Sequence, residues 1–404
     1  MQKKTVTQID VSGKRVLTRV DFNVPIQDGR ITDDRRIRMA IPTIKSIIDR
    51  GGRAVLMSHL GRPEGVGYEA SESLKPCADR LAELLDRPVA FPSHDPADEA
   101  AATAVATMKN GDVLLLDNLR FAKGEKKGDA AFAAKLAALG DVYVNDAFGT
   151  AHREDASMYA VPMAMAGRPR VVGLLMDKEL KYLAAALAKP AKPYVVVMGG
   201  AKVSDKLPMI HQVLRKADAI LIGGAMAYTF LKAAGKKVGA SRVETDMLGE
   251  AAKIIDEALK LKCDLVLPVD HVCSTEFAEK TGNIETFTTD AGIREGFMGL
   301  DIGPKTQTDF ALRVRKAKTI VWNGPMGVFE WAPFKVGTMS IAQAIVHATE
   351  KNGCVSIVGG GDSAAAAEMF GLADKFSHVS TGGGASLEML AGRPFKTVEI
   401  LDNA

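Results

Sequence analysis

The stretch Tyr-Val-Val-Val-Met-Gly-Gly at positions 194–200 decides the fold class. Its residues are apolar without alternation, so a strand built from them must be covered on both faces. A parallel sheet between two helical layers provides that cover. Two glycines end the run, and Leu207, Ile210 and Leu214 then recur at helical spacing. A buried strand, a glycine turn and a helix are the first half of a βαβ unit.

The same rhythm appears on both sides of this segment. Upstream lie Arg15–Asp21 (RVLTRVD), a helix carrying Ile37, Ile41, Ile44 and Ile48, then AVLMSH (54–59), and a helix with Leu74, Leu81 and Leu85. DVLLLDN (112–118) and DVYVNDA (141–147) follow. Downstream lie AILIGG (219–224), CDLVLPVD (263–270), TIVWNG (319–324), CVSIVGGG (354–361) and FSHVST (376–381), with a long helical stretch at Gly337–Asn352. These are too many strands for one mononucleotide fold. They predict an α/β protein of two consecutive doubly wound, Rossmann-like parallel-sheet domains joined by a helix. The boundary is expected near Arg168–Gly173, giving domains at 1–173 and 174–388. Asp177–Ala188 reads as a helix that either joins the lobes or forms one more crossover, and periodicity does not distinguish the two.

Composition narrows the class. The chain has 404 residues, 47% hydrophobic and 25% charged, with a net charge of +3. These are values of an ordinary globular protein with ample core. No charge block resembles a nucleic-acid arm, and Lys126-Lys127 reads as a solvated face. The N-terminus has no apolar signal region, and no apolar run reaches the ~20 residues that span a bilayer. Four cysteines, at 77, 263, 273 and 354, form no C-x-x-C pair. Few thiols in a long chain predict a reduced, cytoplasmic protein. Cys263, His271 and Cys273 lie near one another in sequence, but a buried strand leading into a loop explains CDLVLPVD better than a zinc site.

In open parallel sheets, ligands bind beyond the carboxyl ends of the strands. In the first half those ends present Asp21 and Asn23, His59 and Arg62, Asn118 and Arg120, then Asp146 and Arg153, while Arg36 opens the first helix. Arginine forks suit phosphate and carboxylate, so four of them predict a small ligand with several negative charges. In the second half the ends present Gly199-Gly200 with Lys202 and Lys206, Gly223-Gly224, Asn323-Gly324-Pro325, Gly359-Gly360-Gly361-Asp362 and Gly382-Gly383-Gly384. Glycine lets backbone N–H groups approach phosphate, and a helix N-terminus adds favourable potential. An acidic side chain beside such a loop is a natural Mg²⁺ anchor. Each residue alone is more often a turn or a salt-bridge partner. The recurrence at nearly every strand end, in two chemical sets, carries the reading. The P-loop signature, the dinucleotide fingerprint after the first strand and the protein-kinase H-R-D set are absent, which disfavours those classes.

At these residues the chain closely resembles the phosphoglycerate kinase family. The segments are RVDFNVP (19–25), MSHLGRP (57–63), LLLDNLRF (114–121), YVNDAFGTAHR (143–153), MGGAKVSDK (198–206), IVWNGPMGVFE (320–330), SIVGGGDS (356–363) and STGGGASLE (380–388). The resemblance implies reversible transfer of the acyl phosphate of 1,3-bisphosphoglycerate to MgADP, giving 3-phosphoglycerate and MgATP. It implies a phosphoglycerate site of Asp21, Asn23, Arg36, His59, Leu60, Gly61, Arg62, Arg120 and Arg153. It implies a nucleotide site of Gly199, Gly200, Ala201, Lys202, Lys206, Gly223, Gly299, Asn323, Glu330, Gly360, Gly361, Asp362 and Ser363. Asp362 would stand at the metal, and Arg36, Lys206, Gly360 and Gly383 at the transferring group. The resemblance also implies a monomer whose last residues, about 389–404, rejoin the first domain. Two departures stand out: Glu154-Asp155 follows His152-Arg153 where the family usually has Ala and then His or Gln, and Ser363 replaces a frequent Thr.

Both phosphoryl acceptors, a carboxylate and a phosphate, are already anions at neutral pH. No general base is needed, and catalysis should rest on in-line positioning and charge neutralisation after hinge closure. The rival readings are a dehydrogenase on similar lobes, lacking its fingerprint, and a non-catalytic α/β binding protein that keeps the fold.

Overall fold

The computed structural model describes residues 2–404, with side chains for all of these except 185–187. The chain divides into two compact units: residues up to Lys181 together with Pro394–Ala404, and Tyr182–Arg393.

The first unit is built on strands β1 (Arg15–Val20), β2 (Arg53–Met57), β3 (Val89–Ala90), β4 (Val113–Leu115), β5 (Val142–Asp146) and β6 (Arg170–Val172). They pair in the order β3-β4-β2-β1-β5-β6, all parallel. The Arg35–Ile48 helix buries Ile37, Ile44, Ile47 and Ile48 on one stripe, and Lys75–Leu85 buries Cys77, Leu81 and Leu85. Both cover the sheet through a shared core with Val16, Val20, Leu56, Leu115 and Val144.

The second unit adds β7 (Tyr194–Met198), β8 (Ala219–Ile222), β9 (Asp264–Val266), a three-stranded antiparallel sheet of β10 (Asp270–Ser274), β11 (Ile284–Thr288) and β12 (Met298–Ile302), then β13 (Thr319–Asn323), β14 (Val355–Val358) and β15 (His378–Val379). Its main sheet runs β9-β8-β7-β13-β14-β15, again all parallel. Every residue of β7 is buried, as its unbroken apolar run requires. In both units the chain winds outward from a central strand and then returns to that strand's other side, which is the doubly wound pattern. The reversal falls between β1 and β5 in the first unit and between β7 and β13 in the second.

Three expectations are corrected. Arg168–Gly173 is not a boundary, because it contains β6, which pairs Arg170–Val172 with Tyr143–Asn145 and buries Val171 and Val172. A three-residue strand is too short to show a period. The division falls instead inside the Leu174–Ala188 helix, and the return comes at Pro394 rather than 389, after the Gly384–Leu390 helix has ended. Finally, 263–270 is not one buried strand. Asp264–Val266 is a partly exposed edge, and the chain turns at Pro268 into the antiparallel sheet. Proline has no N–H to give to a ladder, so the run breaks there.

Candidate functional site

In the first unit, the residues that follow β1, β2, β4 and β5 form one connected cluster. Arg36 Nη1 donates to Asp21 Oδ1 at 3.2 Å and to the Asn23 carbonyl at 3.0 Å. Asn23 Oδ1 accepts the Gly61 N–H at 2.9 Å, and Arg120 Nη1 donates to the Gly61 carbonyl. Leu60 is fixed in both directions by Asn118, which accepts its N–H and donates to its carbonyl at 2.7 Å. Arg62 is exposed at the edge of this loop.

His59 is only 3% exposed. Burial, reinforced by the charges of Arg19, Arg120, Arg153 and Arg36, holds its pKa well below the ordinary value, so the ring is neutral at pH 7. Arg19 Nη2 lies 3.1 Å from His59 Nδ1. An arginine can only donate, so Nδ1 accepts and the ring proton is on Nε2. Arg19 is fully buried, with Nε on Ser157 Oγ at 2.9 Å. Ser157 in turn donates to the buried Glu125, whose pKa burial raises.

Two arginines of this cluster have unused hydrogen-bonding capacity. Arg120 Nε and Arg153 Nε and Nη2 are buried without a hydrogen-bond partner. The Asp155 carboxylate lies 3.3 Å from Arg153 Nε as an ion pair but makes no hydrogen bond to it. Buried donors are almost always satisfied, so these stand out. Of the two acidic residues after Arg153, Asp155 thus faces the arginine, and Glu154 turns away to Lys396 at 2.8 Å.

In the second unit the reversal between β7 and β13 is a place where backbone meets backbone. The Gly199 N–H donates to the Asn323 carbonyl at 3.0 Å, Gly200 to Pro325 at 3.1 Å and Gly224 to Met326 at 3.0 Å. A Cβ on Gly199 would stand 1.9 Å from the Pro325 carbonyl oxygen, so only glycine fits. Beside it opens a cavity of about 500 Å³ lined by Gly200, Ala201, Gly299, Glu330 and Asp362, with Tyr228, Phe277, Leu300, Met326 and Val328 giving it apolar walls. That is the size of a site for a drug-sized organic ligand.

At the polar end, Lys206 Nζ donates to Asn323 Oδ1, and Asn323 Nδ2 donates to the Gly359 carbonyl at 2.7 Å. Burial lowers the Lys206 pKa, opposed by Asp362 and Asp205. Gly360, at φ +96°, turns the chain into the Gly361–Met369 helix. That helix carries Asp362 in its first turn, and Ser363 Oγ accepts the Gly324 N–H. An ammonium, a carboxylate and a helix N-terminus therefore converge at one end of an apolar cavity, an arrangement suited to a ligand with an organic body and a phosphate tail.

Gly223 backs the cavity against Met326. Lys202 is exposed, and its charge faces Glu244, which anchors the Val203-Ser204 turn. Gly383, at φ +45°, precedes the short Gly384–Leu390 helix. Among the described residues no group of three or more His, Cys, Asp or Glu could hold a metal, and Cys263 and Cys273 are buried free thiols. A Mg²⁺ ion that takes one carboxylate and otherwise phosphate and water oxygens fits Asp362. An all-protein cage does not.

Sequence reasoning missed Arg19, Ser157 and Glu125, which sit behind His59, and Tyr228, Phe277 and Met298, which wall the cavity. Arg19 stands inside a strand, where its charge reads as an exposed face. Tyr228, Phe277 and Met298 belong to a helix, a loop and an antiparallel strand that no strand-end rule reaches.

The chain is similar to known proteins along nearly its whole length. The family model described as phosphoglycerate kinase matches residues 6–393. A phosphoglycerate kinase of Rhodopirellula baltica is 54% identical, covering 100% of both chains. A cytosolic phosphoglycerate kinase of Trypanosoma congolense is 48% identical, over 99% of this chain and 98% of that one. The solved structure of phosphoglycerate kinase from Coxiella burnetii superposes with a TM-score of 0.88 at 38% identity, over 98% of each chain.

Proposed function

The chain belongs to the phosphoglycerate kinase family and is a phosphotransferase, and on that premise we propose how its two residue sets divide the reaction. The basic cluster of the first unit takes 3-phosphoglycerate or 1,3-bisphosphoglycerate. The cavity of the second unit takes ADP or ATP. The observation that carries the first assignment is the set of buried, unpartnered N–H groups on Arg120 and Arg153, which suits the non-transferring phosphate. Arg62 and the neutral His59, donating from Nε2, complete that grip, while Asp21 and Asn23 orient the glycerate end.

The cavity's apolar walls suit a nucleoside, with Gly200, Ala201, Gly299 and Glu330 around it. Lys206, Asn323, Gly360, Gly361 and Ser363 are then placed at the phosphates. Asp362 would hold Mg²⁺, which when bound neutralises phosphate charge. The attacking oxygen belongs to a carboxylate or a phosphate that is already ionised, so no residue here needs to remove a proton. Arg36 and Lys206 stabilise charge on the transferring oxygens, and Gly383 lies by the same group. In-line transfer requires reacting atoms about 3–3.5 Å apart, so the enzyme closes when both ligands are bound. Solution scattering should show compaction with both ligands and not with either alone, and unchanged profiles would remove the closing step. One chain carries both residue sets, which supports a monomer. Among the described residues no helix is long and apolar enough to cross a membrane. A relative is named cytosolic, which supports a cytoplasmic site of action.

The test is 3-phosphoglycerate-dependent consumption of MgATP, coupled through glyceraldehyde-3-phosphate dehydrogenase to loss of NADH absorbance. Turnover should need both substrates and Mg²⁺. Its absence in folded protein would favour the non-catalytic reading.

A further inference from the structure

Arg153 is an unusual ligand-binding arginine, because little in the protein holds its guanidinium. Nε and Nη2 make no hydrogen bond, and the Asp155 carboxylate is an ion-pair neighbour only. Its placement is therefore set by the backbone that carries it, the turn Phe148–Thr150 and the residues just after. That backbone is gripped from outside by the last residues of the chain. Thr397 Oγ1, 1% exposed, donates to the Ala151 carbonyl, two residues before Arg153. Lys396 Nζ meets Glu154, one residue after it, at 2.8 Å. The Phe395 ring packs against Phe148, with centroids 6.2 Å apart.

The terminal segment is itself tied down. The Lys3 ammonium, only 4% exposed, donates to the carbonyls of Glu399 at 2.9 Å and Leu401 at 2.7 Å and to Asn403 Oδ1 at 2.9 Å. The Asp402 N–H donates to the Arg170 carbonyl at 2.8 Å. The segment is thus fixed at one end to the sheet edge and at the other to the Arg153 turn.

We propose that the terminal segment is a strap that positions Arg153 for the substrate's phosphate, with Thr397 and Lys396 as the positioning residues and Glu154 as the partner through which Lys396 acts. This assigns a use to the acidic residue that breaks the family's pattern after Arg153. It rests on the reading of Arg153 as a phosphoglycerate ligand. A misplacement of about 1 Å at such a group can cost on the order of 100-fold, so the strap need not touch the ligand to matter.

The experiment compares KM for 3-phosphoglycerate with KM for MgATP across a small set of variants. Thr397→Val should raise the 3-phosphoglycerate KM by about tenfold, a free-energy change near 1.4 kcal/mol, and leave the MgATP KM within about twofold. Thr397→Ser, which keeps the hydroxyl, should restore it. Lys396→Glu lies on the surface and should fold regardless. It should raise the same KM by about two- to threefold, the scale of an exposed pair, and adding Glu154→Lys should reverse the change. Arg153→Ala is the control. If it leaves the 3-phosphoglycerate KM unchanged, the reading of Arg153 falls. If it raises that KM while Thr397→Val and Lys396→Glu do not, or while both substrates' KM values rise together with a lowered Tm, the strap is only structural and the proposal is overturned.

Discussion

The two units share a winding and differ in what they place at its reversal. In the first, the strand ends carry side-chain cations, and Arg36, Arg120, Arg153 and the neutral His59 surround unused N–H groups. In the second, the strand ends carry glycines, and backbone meets backbone at Gly199, Gly200 and Gly224. On the proposed division of the two ligands, the contrast follows from their chemistry. A small polyanion offers little but charge, so long planar forks must reach it. A nucleotide offers an apolar body and a phosphate tail, so it needs a cavity wall and close-approaching amides. One topology serves both because the ends of its strands, not the sheet, carry the site.

Mutations can break this comparison at each side. The largest effect is expected from Lys206→Ala, with Arg36→Ala close behind. Losing one preorganised charge should lower kcat on the order of 10²–10³-fold, and the coupled assay reads it directly. Lys206→Ala should also weaken MgATP, and Arg36→Ala should leave MgATP binding nearly intact. If both variants weakened the same substrate, the division of labour would be wrong.

Next comes the backbone itself. Gly199→Ala places a methyl group 1.9 Å from a carbonyl oxygen that is part of the opposite strand end. No side chain can move aside, so the cost should be roughly 3 kcal/mol, the upper range for overpacking, read as a shift of the urea midpoint. An unshifted midpoint would show that the reversal between β7 and β13 yields more than the geometry allows.

The smallest effect sharpens the comparison by pH. In each unit burial pushes one aspartate well above its ordinary range. Burial raises Asp146 to about 7 and Asp301 to about 8, the latter against hydrogen bonds from the Gly337 and Ile302 N–H groups. An unfolded aspartate titrates near 3.9, so between about pH 4 and pH 8 the native state holds more protons than the unfolded one. The stability these groups permit is fully present below about pH 4 and is lost as pH rises through 7 and 8. Urea unfolding should give a lower free energy at pH 8.5 than at pH 5.5. Asp301→Asn should flatten that slope by on the order of 1 kcal/mol, and an equal slope would locate the effect elsewhere.

Much of this was legible in the sequence, for an identifiable reason. Val195–Val197 and Leu114–Leu116 are buried on both faces, and double burial leaves an unbroken apolar run. Strand-end residues were legible because the sheet's geometry makes their position in sequence equivalent to their position at the rim, which is why Asp21, His59, Arg120 and Asn323 could be singled out. The edge strand Arg170–Val172 was not legible, since three residues hold no period. Nor was Arg19, whose charge in a strand reads as solvated until Ser157, 138 positions away, closes over it.

The sequence by itself determined the fold class, the two chemistries at the strand ends and the family. Those features are written in local periodicity and contiguous motifs, which need no knowledge of what packs against them. Only the tertiary structure decided the tautomer of His59, the apolar walls of the nucleotide-sized cavity and the contact of Thr397 with Ala151. Each of these joins residues tens to hundreds of positions apart. Such pairings are fixed by which surfaces must be buried together, and no local pattern carries that information.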